Sequence, residues 1–239
     1  MIYVDQTFDA PADNLAADLV LLDQCEDEGR EFLRIWKPPT EFVVIGRGNN
    51  PESEVNLPAC DEAGIPVLRR ESGGGAVLLG PGCLCYSVGL GIHSHPALET
   101  AESANHWIMR RFAAAIGRAA GQSVNVAGDS DLAIEGKKIA GHAQRRRRRS
   151  VLLHGSLMLD VNVGRMATIL KSPSREPSYR GGRDHRGFVA NLDCPADVVA
   201  AELRTEWSVG QSVQLTPAAV RRCSRELYNS PKWSIRPEP

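Results

Sequence analysis

The segment Arg69-Arg70-Glu71-Ser72-Gly73-Gly74-Gly75-Ala76-Val77 has a composition that packing alone does not explain. Three successive glycines cost conformational entropy and bury nothing. They make sense where backbone must approach a ligand closely or adopt positive φ. Free amides in such a loop can bind anionic oxygens, and adjacent arginines can fork onto phosphate or carboxylate. No Gly-Lys-Ser/Thr follows and the spacing is not G-x-G-x-x-G, so this is neither a Walker loop nor a dinucleotide fingerprint. The bland alternative is a flexible turn between strands, and the arginine pair with Ser72 weighs against it.

A second candidate is Gly136-Lys137-Lys138-Ile139-Ala140-Gly141. Successive side chains on a strand point to opposite faces, so one lysine can meet a ligand while the other stays in solvent. A lysine aimed into a pocket is a point charge suited to phosphate or carboxylate. Read alone, the pair is more simply two solvated lysines at a hairpin tip. The run Arg145–Arg149 has nucleic-acid binding as its sharp reading. It carries no interleaved aromatics, however, and only 5% of the chain is aromatic. A solvated loop, or help with an anionic ligand or acidic partner, fits it better. His154 lies in an alternating apolar strand, where a lone histidine is more often a satisfied core residue than a catalyst. Asp131 suits either a turn cap or a hydroxyl or amide ligand. No Ser/His/Asp relay is suggested, because Ser72 lacks an elbow motif. Among six cysteines only Cys83 and Cys85 are close. C-x-C without an answering pair argues against zinc, so no metal ligands are predicted, and disulfides are not expected.

These residues need elements to position them. The chain has 239 residues, 42% hydrophobic and 24% charged, which excludes a disordered tail, a collagen-like fibre and a coiled coil. No run approaches the ~20 apolar residues of a membrane span. The acidic N-terminus does not resemble a signal peptide. A soluble, cytoplasmic protein is expected. Residues 1–64 hold 14 acidic against 4 basic residues, whereas the remainder is net basic, which suggests a local anionic partner.

Spacing predicts helices over 13–28, capped by Asp13 or Asn14, and over 98–120, stopped by Gly121. Further helices are predicted over 196–208 and 217–228, the last starting with Pro at N1. Strands are predicted over 31–36, 42–46, 65–70 and 151–159. A Gly80-Pro81-Gly82 hairpin is expected between 76–79 and 83–88, and a hairpin tip at Glu135-Gly136-Lys137. Strands and helices do not alternate regularly, which favours an α+β fold with a largely antiparallel sheet.

Taken together, RRESGGGAVLLGPGCLCYS (69–87), VVIGRGNN (43–50), SDLAIEGKKIAGHAQRR (130–146) and LLHGSLMLDVN (152–162) resemble the lipoate–protein ligase A family, within the biotin/lipoate ligase superfamily. The early Asn14-Leu15-Ala16, the basic segment 171–192 and YNSPKW (228–233) extend the resemblance along nearly the whole chain. It implies an α+β catalytic domain like that of class II aminoacyl-tRNA synthetases and biotin synthetase, here a single domain over 1–239. It implies a two-step reaction. Lipoate, or a similar medium-chain acid such as octanoate, reacts with ATP to give an acyl-adenylate. The acyl group then passes to a lysine of a lipoyl-domain or glycine-cleavage-H-like carrier. Lys138 would be the catalytic lysine. Arg70, Ser72, Gly73, Gly74, Gly75, Ala76, Val77 and Leu78 would bind nucleotide or substrate, with Asp131 and His154 lining the site. Mg²⁺ is implied by ATP use. Nucleic acid and membrane are not expected partners.

Three departures leave alternatives open. Leu79 stands where the family commonly has His. No accessory C-terminal domain is expected after the catalytic one, which would point to a separate accessory subunit, self-sufficiency or a pre-made acyl donor. Related acyltransferases place a catalytic Cys just before the lysine segment, where this chain reads Val126-Ala127-Gly128-Asp129-Ser130. The adenylating ligase is therefore preferred to an ATP-independent octanoyl or lipoyl transferase, and to a non-catalytic basic binding module.

Overall fold

The protein is described here as a computed structural model covering residues 1–173 and 176–237. Its first half comprises β1 (Ile2–Asp5), α1 (Pro11–Glu28), β2 (Phe32–Trp36), β3 (Phe42–Ile45), α2 (Pro51–Glu54), α3 (Leu57–Ala63), β4 (Val67–Arg69), β5 (Val77–Leu79), β6 (Cys83–Gly91) and α4 (Ala101–Ala120). The second half adds β7 (Asn125–Ala127), β8 (Asp131–Ile134), β9 (Lys137–Arg146), β10 (Ser150–Met158), α5 (Val163–Ile169), α6 (His185–Phe188), α7 (Ala196–Glu206), α8 (Pro217–Tyr228) and β11 (Ser234–Arg236). The large sheet runs β1-β2-β6-β10-β9-β8-β7, antiparallel except for β1 with β2. The small sheet runs β11-β4-β3-β5. The expected α+β architecture with a mostly antiparallel sheet is what the chain adopts.

Burial explains the long strands. Both edges of β6 are paired and both of its faces are covered, so every position but the last is buried. On one face, Ile108, Met109 and Phe112 of α4 pack on Leu84, Tyr86 and Leu153. At about 1.5–3 kcal/mol per buried large side chain, this contact is a main source of cohesion. On the other face, Leu21 and Leu22 of α1 meet Phe32, Leu152 and Val220. A third cluster joins the small sheet to Met158, Phe188 and Tyr228.

Local chemistry sets most boundaries as expected. Gly121 ends α4 in the left-handed region, and Pro217 starts α8 at N1. The β8–β9 turn is Glu135-Gly136, both at positive φ. Two expectations fail. Neither Asp13 nor Asn14 caps α1. The helix starts earlier, at Pro11 after Ala10, and buried Asn14 turns inward to exchange bonds with the Phe8 backbone at 2.7 and 3.0 Å. The Gly80–Gly82 turn does not close a hairpin either. β5 pairs with β3 in the small sheet, while β6 pairs with β2 and β10 in the large one. The turn passes the chain between sheets, held where Gly82 O accepts the amides of Leu159 and Asp160. A G-P-G signal fixes a reversal but not the partner of the strands beside it.

No helix among the described residues is long and apolar enough to cross a membrane. The basic segment 171–192 contains Ser174 and Arg175, which lie outside the described residues.

Candidate active site

The glycine run forms an exposed loop between β4 and β5. Among the described residues, no partner accepts from the amides of Gly73, Gly74 or Gly75, so the loop offers donors. Its shape is set by Arg70, which is buried. Its Nε donates to Ser72 Oγ (3.0 Å) and Gly73 O (3.1 Å), Nη2 to Gly73 O (2.6 Å) and Gly75 O (2.9 Å), and Nη1 to Val44 O (3.3 Å). Burial pulls its pKa down to about 10, which leaves it charged at neutral pH. Arg69 likewise donates to the carbonyls of Gly46, Arg47, Asn49 and Lys232. The expected arginine fork onto a ligand is thus turned inward, stapling carbonyls so that amides remain outside. The fit is close. A Cβ on Gly46 would stand 2.0 Å from Gly74 O.

Lys137 is exposed and Lys138 half-buried, so the two lysines take opposite faces as the strand period requires. Lys138 Nζ lies 2.7 Å from Asp131 Oδ1. Asp131 Oδ2 accepts from the Tyr179 hydroxyl at 2.8 Å.

His154 belongs to a chain of polar groups below the cleft. Its Nε2 is 2.6 Å from Ser72 Oγ and its Nδ1 is 3.3 Å from Asp18 Oδ2. Asp18 Oδ1 accepts from Arg34 Nη1 (2.8 Å) and Ser87 Oγ (3.0 Å). Burial opposes the Asp18 charge, but Arg34 and then His154 outweigh it and hold the carboxyl below its usual range. This is a Ser/His/Asp relay that order along the chain concealed. Ser72 is 2% exposed and its oxygen already accepts from Arg70. The chain therefore ties α1 to the glycine loop and orients His154, and Ser72 is not placed to attack a substrate.

One cleft of about 1380 Å³ brings the predicted residues together: Arg70, Gly73, Gly74, Gly75, Ala76, Val77, Leu78, Asp131, Lys138 and His154 all line it. Ser72 lies just behind. The apolar end carries Leu15, Trp36, Val44, Leu79 and Met158, with Cys83 and Cys85. Burial pushes the Cys83 thiol up to about 11 and Cys85 well above its usual value, so both stay protonated.

Most of the arginine run is engaged by acids and carbonyls of the chain itself. Arg145 and Arg146 end β9, and Arg147–Arg149 form the turn to β10. Arg145 faces Glu71, Arg146 binds the carbonyls of Leu98 and Glu99, Arg147 pairs with Asp23, and Arg149 with Glu26 and Asp27. Acids of α1 thus neutralise part of the run, which also accounts for part of the acidic first quarter.

Asp18, Arg34, Tyr179 and the cleft-lining His142, whose Nε2 lies 2.7 Å from the Tyr86 hydroxyl, carry no local signal that singles them out in the sequence. Asp18 follows Asn14 by four on the face of α1 shared with Leu15 and Leu22. An acid there, and Arg34 within FLRIW, are charges on buried faces that need each other. Nothing local marks Tyr179, which reaches Asp131 across 48 residues.

A profile of the lipoyl protein ligase A/B catalytic domain matches residues 10–206, a stretch that holds every site residue above. The chain belongs to this family. Within it, the chain is 28% identical to the lipoate-protein ligase LplJ of Bacillus subtilis over 199 residues, 80% of this chain and 56% of that protein. It is 34% identical to the probable lipoate-protein ligase A of Mycoplasma pneumoniae over 204 residues, 81% and 59%. It is 28% identical to the octanoyltransferase LipM of Geobacillus kaustophilus over an alignment of 275 residues, 98% and 97%. The chain therefore spans little more than half the length of those two ligases and nearly all of the transferase. Two solved structures share the fold at TM-score 0.80 and 22% identity. One is the bi-partite lipoate protein ligase of Thermoplasma acidophilum, described with its E2 lipoyl domain, covering 98% of this chain and 95% of that one. The other is a lipoate-protein ligase A bound with ATP, covering 96% and 95%.

Proposed function

We propose that this chain is an ATP-dependent lipoate–protein ligase. In the first step a carboxylate oxygen of lipoate, or of a similar medium-chain acid, attacks the α-phosphorus of ATP and pyrophosphate leaves. In the second, a lysine amine of a lipoyl-domain or glycine-cleavage-H-like carrier attacks the acyl carbonyl and AMP leaves. Two anions that repel must be held together in the first step. The Lys138 ammonium supplies the shared counter-charge and stabilises the charge that builds up in both transfers. The amides of Gly73–Gly75 and the backbone of Ala76, Val77 and Leu78 bind the nucleotide, with Arg70 and Ser72 holding them in place. His154 and Asp131 line the substrate, and the apolar end takes the acyl chain. Mg²⁺ fits as an ion carried on the phosphates, since it keeps most of its waters and needs only one or two carboxylates. Among the described residues there is no cluster of three metal-ligating side chains.

The observation that carries this reading is the sharing of one cleft by Lys138 and the amide-rich loop, together with the inertness of the cleft thiols. A second reading is an ATP-independent octanoyl transferase, favoured by the match over 97% of LipM. That chemistry asks for a nucleophile, and a thiol with a raised pKa is a poor one. The test incubates the protein with a lipoyl domain under two conditions. Lipoate plus ATP should lipoylate the domain. Acylation from an octanoyl-carrier donor without ATP, and none with lipoate plus ATP, would favour the transferase.

A further inference from the structure

We propose that Asp131 and Tyr179 are positioning residues for Lys138, and that Gly141 provides the gap its ammonium occupies. This rests on the ligase reading above. In the β8–β9 register Asp131 stands opposite Gly141 and Lys138 opposite Ala133, with a register shift between Leu132 and Ala133. The Lys138 side chain runs along β9 towards Gly141 and places Nζ 2.7 Å from Asp131 Oδ1. A Cβ on Gly141 would stand 2.8 Å from Nζ, 2.9 Å from Cε and 3.6 Å from Asp131 Oδ1. A side chain facing Asp131 would therefore displace the lysine tip from the place it takes here.

The other carboxylate oxygen is held by the Tyr179 hydroxyl. Burial first, and then Asp131, raise the pKa of this phenol, so it remains a donor. Tyr179 is fixed in turn. Its ring packs on Phe188 with centroids 5.1 Å apart, and the same segment joins β9 where Ala190 N donates to Lys138 O at 2.9 Å. Three stretches of chain thus converge on one ammonium.

This matters because Lys138 is 26% exposed at its side chain, on a stem that carries much rotamer entropy. Without a fixed partner its charge would be spread over many positions. An ammonium has three donors. Asp131 takes one and leaves two for the anions of the first step. The carboxylate also repels those anions, so its loss should lower turnover without weakening binding.

The experiment measures steady-state acyl-adenylate formation with lipoate and ATP for wild type, Asp131→Asn, Tyr179→Phe and Gly141→Ala. It also follows the rate at which an amine-acylating reagent modifies Lys138, by peptide mass mapping. Asp131→Asn should lower kcat by about 30-fold with KM unchanged or reduced, within the range a misplaced catalytic group costs. Tyr179→Phe should lower kcat by about 5-fold in the same pattern. Gly141→Ala should resemble Asp131→Asn. Modification of Lys138 should be several-fold faster in Asp131→Asn, a readout that needs no activity. Wild-type KM, kcat and modification rate in folded Asp131→Asn and Tyr179→Phe would overturn the proposal. Absence of adenylate from wild type would overturn the ligase reading instead, while the modification rates still decide this one.

Discussion

Lys138 and Arg34 each meet an aspartate at nearly the same distance, 2.7 and 2.8 Å. The Lys138 and Asp131 side chains are 26% and 12% exposed, and those of Arg34 and Asp18 are 0% and 7% exposed. A cleft-facing ion pair can exchange part of its partnership with an incoming anion. A sealed one cannot, because either charge left alone there pays a large desolvation penalty. One pair opens on the cleft, and the other fixes α1, β2 and His154 behind it. Ion-pair geometry alone would not have separated them.

Exchanging the two lesions tests that division most severely. Lys138→Ala should cut adenylate formation by about 10²–10³-fold, the scale of losing a major electrostatic contact, with little change in Tm. Arg34→Met should do the reverse. Stripping the buried Asp18 of its partner should cost about 3–5 kcal/mol in denaturant unfolding, while protein that remains folded loses far less adenylation rate than Lys138→Ala does. Loss of activity without loss of stability in Arg34→Met would break the comparison.

His142 sharpens it through pH. This buried imidazole bonds to Tyr86 OH at 2.7 Å, and burial lowers its pKa to about 4. Unfolded, it titrates near 6.5. Between pH 6.5 and 4 the unfolded chain binds the extra proton, so stability falls as pH falls through that window and is flat above it. The loss approaches about 3 kcal/mol. His142→Gln should flatten that part of a pH–stability curve.

A smaller effect belongs to the loop. Gly46→Ala forces a methyl onto Gly74 O and should cost about 1–3 kcal/mol, read as a lower Tm together with a higher KM for ATP. The smallest belongs to the arginine run. Arg147 and Asp23 form a partly exposed pair, and Arg147→Ala should change stability by no more than about 1 kcal/mol.

Sequence carried the fold class, the glycine loop, the opposite faces of Lys137 and Lys138 and most helix ends, because these depend on local spacing and on turn residues; the choice of Lys138 over Lys137 came from the family resemblance alone. It did not carry what depends on partners distant along the chain. The G-P-G turn looked like a hairpin because a turn signal says nothing about which sheet each arm joins. The Arg69-Arg70 pair looked like a ligand fork because the sequence does not show that the loop turns the carbonyls of Gly73 and Gly75 back onto it, or that those of distant Val44 and Gly46 lie beside it. His154 looked like a core residue, and its place between Ser72 and Asp18 required α1 and the loop to meet over β10. The arginine run looked solvated because most of its acids lie over a hundred residues upstream.

The measurement that bears most directly on the ligase reading is ATP–pyrophosphate exchange by the wild-type chain, with and without lipoate, beside Lys138→Ala. Lipoate-dependent exchange that disappears in the folded variant is the predicted result. Exchange unaffected by Lys138→Ala, or none from folded wild type while it transfers an acyl group without ATP, would contradict it.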